Sequence, residues 1–449
     1  MSKAFESIFS ERLMTHLYSN LLISQEQHGF VKGRNCQTNI LSCLEDWTKA
    51  VDENDSVDVI YFDYEKAFDK VSHSLLLEKL KWYGIEGKTF DWIKSFLMDR
   101  VQRVKIGNAK STWRAVLSSV VQGSVLGVNL FVVYINDLPA NCLLPKHPNV
   151  SSSASGYDDV RNGTKIKLLA DDTKAYQRIR KGREAEDTAA LQETVDKIQE
   201  WAEMWQMKIH PDKTKVLHIG SNNPRHTYMI NETEIESCEV QRDIGFMIHE
   251  SLSTSHHVQN ARSRALMEIG IMRRTFDYID RRSFNILYNQ KIRTHLEWGA
   301  IACPPITKSE SFVLERVQDK ATHLVNNLRS LNSDERRENL GLFHVSYRRL
   351  RGDLIEVYKL LTKRTKMDHG QFWEVRDSRT GPMLVKDQLG PTCTGQGRKQ
   401  RRNFFAYRVI KPWNWLPKEL KIAPSINSFK NGLDNLMKTE RWKKFVQQL

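Results

Sequence analysis

Val57-Asp58-Val59-Ile60-Tyr61-Phe62-Asp63-Tyr64-Glu65-Lys66-Ala67-Phe68-Asp69 and Ile166-Lys167-Leu168-Leu169-Ala170-Asp171-Asp172-Thr173-Lys174-Ala175-Tyr176 are the two stretches on which the fold turns. In each, a short apolar run delivers a carboxylate to its end, and a β-rich run of this length reads as a buried strand. Apolar residues resume after Asp171-Asp172, which predicts a hairpin with both aspartates at its tip. Carboxylates at neighbouring strand ends offer hard oxygen ligands to divalent cations. Two such ions about 3.5–4 Å apart are the usual apparatus for in-line phosphoryl transfer. Asp63, Asp171 and Asp172 are therefore the candidate catalytic and metal-ligating residues. An Asp-Asp pair is also a common turn dipeptide, so the pair decides nothing alone.

Between the two stretches lies Val121-Gln122-Gly123-Ser124-Val125-Leu126-Gly127, followed by the apolar run 128–135. A glycine-flanked loop that opens a helix lets backbone and a side-chain amide approach a nucleotide closely. Ser124 is the expected N-cap. The ordered set Phe62 to Asp69, Gln122 to Gly127, Tyr134-Ile135-Asn136-Asp137-Leu138-Pro139 and Ala170-Asp171-Asp172 resembles the reverse transcriptase of jockey-type non-LTR (LINE-like) retrotransposons. The resemblance runs on through Trp205-Gln206-Met207-Lys208, the stretch 213–220 and Trp413-Asn414-Trp415-Leu416-Pro417.

That resemblance implies an RNA-directed DNA polymerase of α+β, right-hand architecture. Its cofactors would be two Mg²⁺ ions, with Mn²⁺ as a substitute; its partners would be an RNA template, a DNA primer and deoxynucleoside triphosphates. Asp63 and Asp171 would bridge the ions and Asp172 complete the shell. Gln122 and Gly123 would line the nucleotide pocket, with Phe68 under the sugar excluding a 2′-hydroxyl. Lys32 and Arg34, in the glycine-broken loop 27–34, would meet phosphate, and Lys215 (or its neighbour Lys213) would stand on the pyrophosphate side. An RNA-dependent RNA polymerase shares this chemistry, but Phe68 argues against it. The chain would begin inside the fingers and lack the endonuclease that full-length elements carry upstream. The alternative is a retroelement remnant that folds and binds nucleic acid but polymerises weakly or not at all. Val31, Val121, Val128 and Leu169, which depart from the family's common residues, are where the two readings part.

Composition points the same way. A chain of 449 residues suggests about three domains at ~150 residues each. Net charge is +14, with 68 Lys+Arg against 54 Asp+Glu, which favours a polyanionic partner. No run approaching the ~20 apolar residues of a spanning helix is expected, nor a signal peptide. Cysteines at 36, 43, 142, 238, 303 and 393 form no close pairs, against both a disulfide framework and a zinc knuckle. The expectation is an intracellular protein, nuclear or cytoplasmic, with no membrane partner and an oligomeric state left open.

Along the chain, residues 1–22 predict an amphipathic helix with Phe5, Ile8, Leu13 and Leu17 on one face. Residues 101–117 alternate around Gly107-Asn108 as a hairpin would. The expected division is partial fingers to 56, palm over 57–250 with a flexible insertion at 140–165, a helical thumb-like region over 251–330, and a basic C-terminal domain over 331–449. Cys238 to Ile248 should be a hairpin closing the palm. Tyr347 to Leu354 reads as a nucleic-acid face or as a salt-bridged helix. Arg398-Lys399-Gln400-Arg401-Arg402-Asn403-Phe404-Phe405-Ala406-Tyr407-Arg408 holds five cations, no acid and three aromatics. Arg398, Lys399, Arg401 and Arg402 could meet phosphates while Phe404 and Phe405 stack on bases. Equally, the aromatics could be core and the cations their solvated face.

Overall fold

Periodicity fixes most of the elements that carry the motifs. In the computed structural model, which describes residues 2–143, 163–386 and 396–446, the chain forms two compact units rather than the four segments expected. The first unit takes residues 1–39, 55–218 and 222–238; the second takes 40–54, 219–221 and 239–449.

In chain order the first unit holds helix α1 (Ser2–Ser19) and the start of α2 (Cys36–Asp52). Strand β1 (Ser56–Phe62), the helical turn α3 (Ala67–Lys70), and helices α4 (His73–Trp82) and α5 (Gly87–Leu97) come next. The short strands β2 (Val101–Gln102), β3 (Lys105–Ile106), β4 (Ala109–Lys110) and β5 (Arg114–Ala115) precede α6 (Val125–Ile135) and α7 (Leu138–Leu143). The unit ends with β6 (Lys165–Leu169), β7 (Asp172–Ile179), α8 (Glu184–Met204), β8 (Lys215–Ile219), β9 (Met229–Ile230), β10 (Thr233–Glu234) and β11 (Glu236–Cys238). A five-stranded sheet in the order β11-β8-β1-β7-β6 forms its centre. β1 is buried along its whole length, Asp58 included, as a central strand covered on both faces is.

Helix α6 is nearly all core: Leu126, Leu130, Phe131, Val132, Val133, Tyr134 and Ile135 are fully buried. Each such side chain stabilises the unit by about 1.5–3 kcal/mol. The run Val125–Leu143 is in fact long and apolar enough to pass for a membrane span, contrary to the sequence expectation. It is instead broken into α6 and α7, and 67% of it is buried within the protein. Ser124 caps α6 as expected, accepting from the Gly127 amide at 2.9 Å. The Tyr134-to-Pro139 motif is structural. Asp137 pairs with buried Lys79 at 2.6 Å, and Asn136 accepts from the Ser24 amide at 2.8 Å.

Helix α1 is turned differently from its expected face. Leu13 and Leu17 are buried, but Phe5 and Ile8 are 59% and 49% exposed. Glu6 points inward instead and accepts the Val125 amide at 2.7 Å, at the N-terminus of α6. A carboxylate is favourable at the positive end of a helix, and turning Glu6 there leaves Phe5 and Ile8 on the outer face.

The second unit contains β12 (Val240–Asp243) and β13 (Phe246–His249), so the hairpin expected to close the palm forms a separate two-stranded sheet. Its helices are α9 (Ser255–Thr275), α10 (Arg281–Leu287), α11 (Arg293–Glu297), α12 (Lys308–Thr322), α13 (Ser333–Leu340) and α14 (Val345–Leu361). Val258, Ile269, Phe284, Ile292, Leu314 and Val317 share one core. β14 (Glu374–Arg376), β15 (Met383–Val385), α15 (Gln396–Asn403), α16 (Phe405–Arg408), α17 (Ile410–Trp415), α18 (Lys418–Lys421), α19 (Ile426–Met437) and α20 (Glu440–Val446) complete it. α14 is the salt-bridged helix of the two readings offered: Arg348 Nε donates to Glu297 at 2.7 Å and Arg351 Nη2 to Asp434 at 2.7 Å. Of the expected insertion at 140–165, residues 144–162 lie outside the described residues.

Candidate active site

The β6–β7 hairpin decides where the aspartates go. Leu169 pairs with Asp172, leaving Ala170 and Asp171 as the turn. β7 is also antiparallel to β1, with Phe62 opposite Thr173. Carrying that register one residue further sets Asp63 beside Asp172, so the end of β1 and the hairpin tip meet at one edge of the sheet. Strand alternation buries Thr173 and turns Asp172 to solvent. The Asp171 carboxyl is half-buried and raised above its ordinary range, by burial first and then by the charge of Asp63. Two like-charged carboxylates with few donors are the arrangement that a cation relieves.

These residues fit a divalent ion. Their donors are carboxylate oxygens, and Mg²⁺ is usually held by one or two carboxylates with water and substrate phosphate supplying the rest. Accordingly, no three His, Cys, Asp or Glu residues gather into a self-sufficient metal cage among the described residues. Lys213 supplies a cation beside the pair, its Nζ 3.9 Å from Asp63 Oδ1. Lys215, the expected pyrophosphate-side residue, is committed elsewhere. It donates to Glu236 at 2.5 Å and to the Asp212 carbonyl at 2.9 Å, because strand alternation turns it toward β11.

Gln27 was read only as part of a basic loop, yet it holds the hairpin tip. It is fully buried, and its Oε1 accepts from the Ala170 amide at 3.0 Å and the Gly29 amide at 2.7 Å. Ala170 sits at φ 56°, a left-handed conformation that costs a non-glycine residue about 1–2 kcal/mol. Gly29 lies so close that a Cβ there would fall 2.3 Å from the Ala170 nitrogen, so only glycine lets the loop dock. The His28 amide donates to Leu168 and the Leu168 amide to Glu26, covering the free edge of β6. A polar residue with no charge, flanked by Gly29, was the signal available in the sequence.

The nucleotide candidates lie around the turn α3. Phe68 stacks on Phe131 of α6 with centroids 4.1 Å apart, and its carbonyl accepts the Val120 amide at 3.1 Å. Gln122 is exposed and donates to Asp69 Oδ1 at 2.7 Å; Gly123 is exposed beside it. Asp69, assigned no role from the sequence, thus fixes the Gln122 amide. Of the loop cations, Lys32 is exposed, whereas Arg34 is spent on the loop itself. Arg34 donates to the Ser24 and Gln27 carbonyls at 2.8 and 2.9 Å, which corrects its assignment to phosphate.

In the second unit the basic–aromatic segment 398–408 is largely core, and its assignment to nucleic acid is corrected. Phe404 and Phe405 are buried. Arg401 is only 3% exposed, donating to Glu45 at 2.5 Å and to Thr48 at 2.8 Å. Arg408 pairs with Asp353 at 2.7 Å. Lys399 and Arg402 remain exposed. Arg398 falls in α15, with its side chain outside the described residues.

The chain is 26% identical over 266 residues to the probable RNA-directed DNA polymerase from transposon X-element of Drosophila melanogaster, covering 59% of this chain and 27% of that one. To the RNA-directed DNA polymerase from mobile element jockey, also of Drosophila melanogaster, it is 26% identical over 261 residues, with 58% and 27% covered. The chain therefore spans about a quarter of the length of these relatives. Among solved structures, telomerase from Candida albicans in complex with a fragment of telomeric RNA gives a TM-score of 0.41 at 11% identity, over 82% of this chain and 52% of that one. A likeness of that size carries no functional argument. The family model described as reverse transcriptase (RNA-dependent DNA polymerase) matches residues 1–262, the whole first unit and more than half of the sequence, and the chain belongs to that family.

Proposed function

We propose that the chain is an RNA-directed DNA polymerase that extends a DNA primer along an RNA template, as in non-LTR retrotransposons. Members of its family use divalent metal ions and copy RNA into DNA. The observation that carries the reading is the shared field of Asp63 and Asp171 at the joined ends of β1 and the β6–β7 hairpin. In the reaction, the primer 3′-oxygen attacks the α-phosphorus of a deoxynucleoside triphosphate, the bond to the β-phosphate breaks, and pyrophosphate leaves.

Asp63 and Asp171 are the residues to hold two Mg²⁺ or Mn²⁺ ions, with Asp172 as an outer ligand. When bound, such ions lower the pKa of the attacking hydroxyl and neutralise the leaving group. The pyrophosphate-side role is assigned to Lys213 rather than Lys215 because the Lys213 Nζ lies 3.9 Å from Asp63 Oδ1. Gln122 and Gly123 flank the nucleotide pocket, and Asp69 orients the Gln122 amide. Phe68, braced by Phe131, limits the room for a 2′-hydroxyl. Primer extension on an RNA template, with deoxynucleotides and then ribonucleotides, tests this directly. Extension with deoxynucleotides alone is expected. Extension with ribonucleotides alone makes it an RNA polymerase, and RNA binding without extension makes it a remnant.

A further inference from the structure

The segment 100–117 has the composition that singled out 398–408, but the opposite placement. It carries Arg100, Arg103, Lys105, Lys110 and Arg114 and no acidic residue. β2 pairs with β5 and β3 with β4, making one long hairpin. Gly107, at φ 60°, starts its two-residue turn, where a side chain would be strained. Every residue from Val101 to Ala115 is exposed. Val104, Ile106 and Trp113 are 64%, 77% and 58% exposed, a cost in water that folding alone does not explain.

Three features point to a polyanion. Lys105 stands directly opposite Lys110 in the register, and like charges so placed destabilise a hairpin unless something neutralises them. Arg103 lies over one face of the Trp113 ring at 4.3 Å, which restrains the exposed ring. Arg103 and Lys105, two residues apart, share a face, with Lys110 opposite Lys105 and the Trp113 ring under Arg103. Among the described residues, Arg103, Lys105, Lys110 and Arg114 form no ion pair. Arg100 is the exception to the solvent-facing set, donating to the Ser119 and Leu97 carbonyls at 2.7 and 2.9 Å.

We infer that this hairpin is a docking surface for a single-stranded polynucleotide, with Trp113 stacking on a base and Arg103, Lys105 and Lys110 meeting phosphates. Phosphate needs distributed cations, and an unpaired base needs a flat exposed ring; one hairpin face offers both. On the reverse-transcriptase reading, the polynucleotide is the RNA template.

The test is fluorescence anisotropy of the full chain with labelled oligouridylate, which needs no polymerisation. Trp113→Ala should weaken binding by about tenfold, the scale of one lost base stack. Replacing Arg103, Lys105 and Lys110 together with Gln should lower the slope of log K against log salt by about 2, at ~0.7 per contact on a single strand. All these side chains are exposed, so circular dichroism and thermal midpoint should match the parent. Unchanged affinity and slope overturn the proposal, as does a loss seen only with anionic lipid vesicles. A protein inactive in primer extension that still binds RNA through this hairpin keeps this proposal and sinks the polymerase reading.

Discussion

Strand β1 carries one aspartate, Asp58, and delivers a second, Asp63, just past its end, and the two have opposite surroundings. Asp58 is fully buried and wholly partnered. His218 Nδ1 lies 2.8 Å from Oδ1, Asn223 donates to Oδ1 at 2.7 Å, and Tyr228 donates to Oδ2 at 2.6 Å. Burial first and then the charge of Asp58 push the Tyr228 hydroxyl far above its ordinary pKa, so it stays protonated and remains a donor. Asp63, at the strand end, is part exposed and faces Asp171 rather than a ring of donors. A carboxylate surrounded by donors holds the sheet together. One set against another carboxylate weakens the fold and is available to a cation. The difference lies in the neighbours, since one strand positions both side chains.

The sharpest way to break this comparison is to neutralise the exposed end. Asp63→Asn or Asp171→Asn should lower primer extension by about a thousandfold, roughly 4 kcal/mol of transition-state stabilisation, with the thermal midpoint unchanged or raised. Substantial Mg²⁺-dependent extension by Asp171→Asn removes the metal assignment. At the other end the outcomes should exchange. Asp58→Ala leaves His218, Asn223 and Tyr228 without their acceptor, so stability should fall by about 3 kcal/mol in denaturant titration. Extension per folded molecule should hold. If Asp58→Ala instead kills extension without loss of stability, the buried network belongs to the site.

A smaller effect is expected where the two roles meet. Gln27→Ala removes the acceptor for the Ala170 and Gly29 amides and should cost about 1–3 kcal/mol of stability. Because Gln27 positions Asp171 without touching substrate, the Mg²⁺ concentration for half-maximal extension should rise more than KM for nucleotide. An equal change in both would make Gln27 merely structural.

The smallest effect tests the charge itself. Asp171 is raised in the folded chain above its ordinary 3.8. Its contribution to stability is thus fully present below that value and is lost as pH rises through the folded pKa. At neutral pH the ionised pair is a net cost, and a divalent cation should relieve it. At ten times its Kd, Mg²⁺ should add about 1.4 kcal/mol by mass action, read as a higher thermal midpoint at pH 7. The gain should vanish in Asp171→Asn and shrink at acid pH. A gain of equal size in that variant would place the ion elsewhere.

Local pattern made a good deal of this legible. The apolar runs before Asp63 and Asp171 became β1 and β6, the Asp pair came to the hairpin tip, and Ser124 capped α6, because each depends on residues within a few positions. The face of α1 was not legible, since Glu6 answers to the α6 amides 119 residues away. Nor was Gln27, whose partner Ala170 lies 143 residues on.

The two basic–aromatic segments mark the boundary most plainly. By sequence alone, 398–408 and 100–117 are alike: each has five cations, no acid and aromatic or branched apolar residues between them. The sequence determined that both are basic and that one of them turns at Gly107-Asn108. Only the tertiary structure decided which meets water. Arg401 is buried because Glu45, 356 positions earlier, is folded against it, and a buried charge is tolerable only when paired. Among the described residues, 101–115 have no such partner, so their cations stay solvated and their apolar side chains stay exposed. Pairing across hundreds of residues leaves no trace in local periodicity, and for that reason the fold, and not the composition, chose the surface.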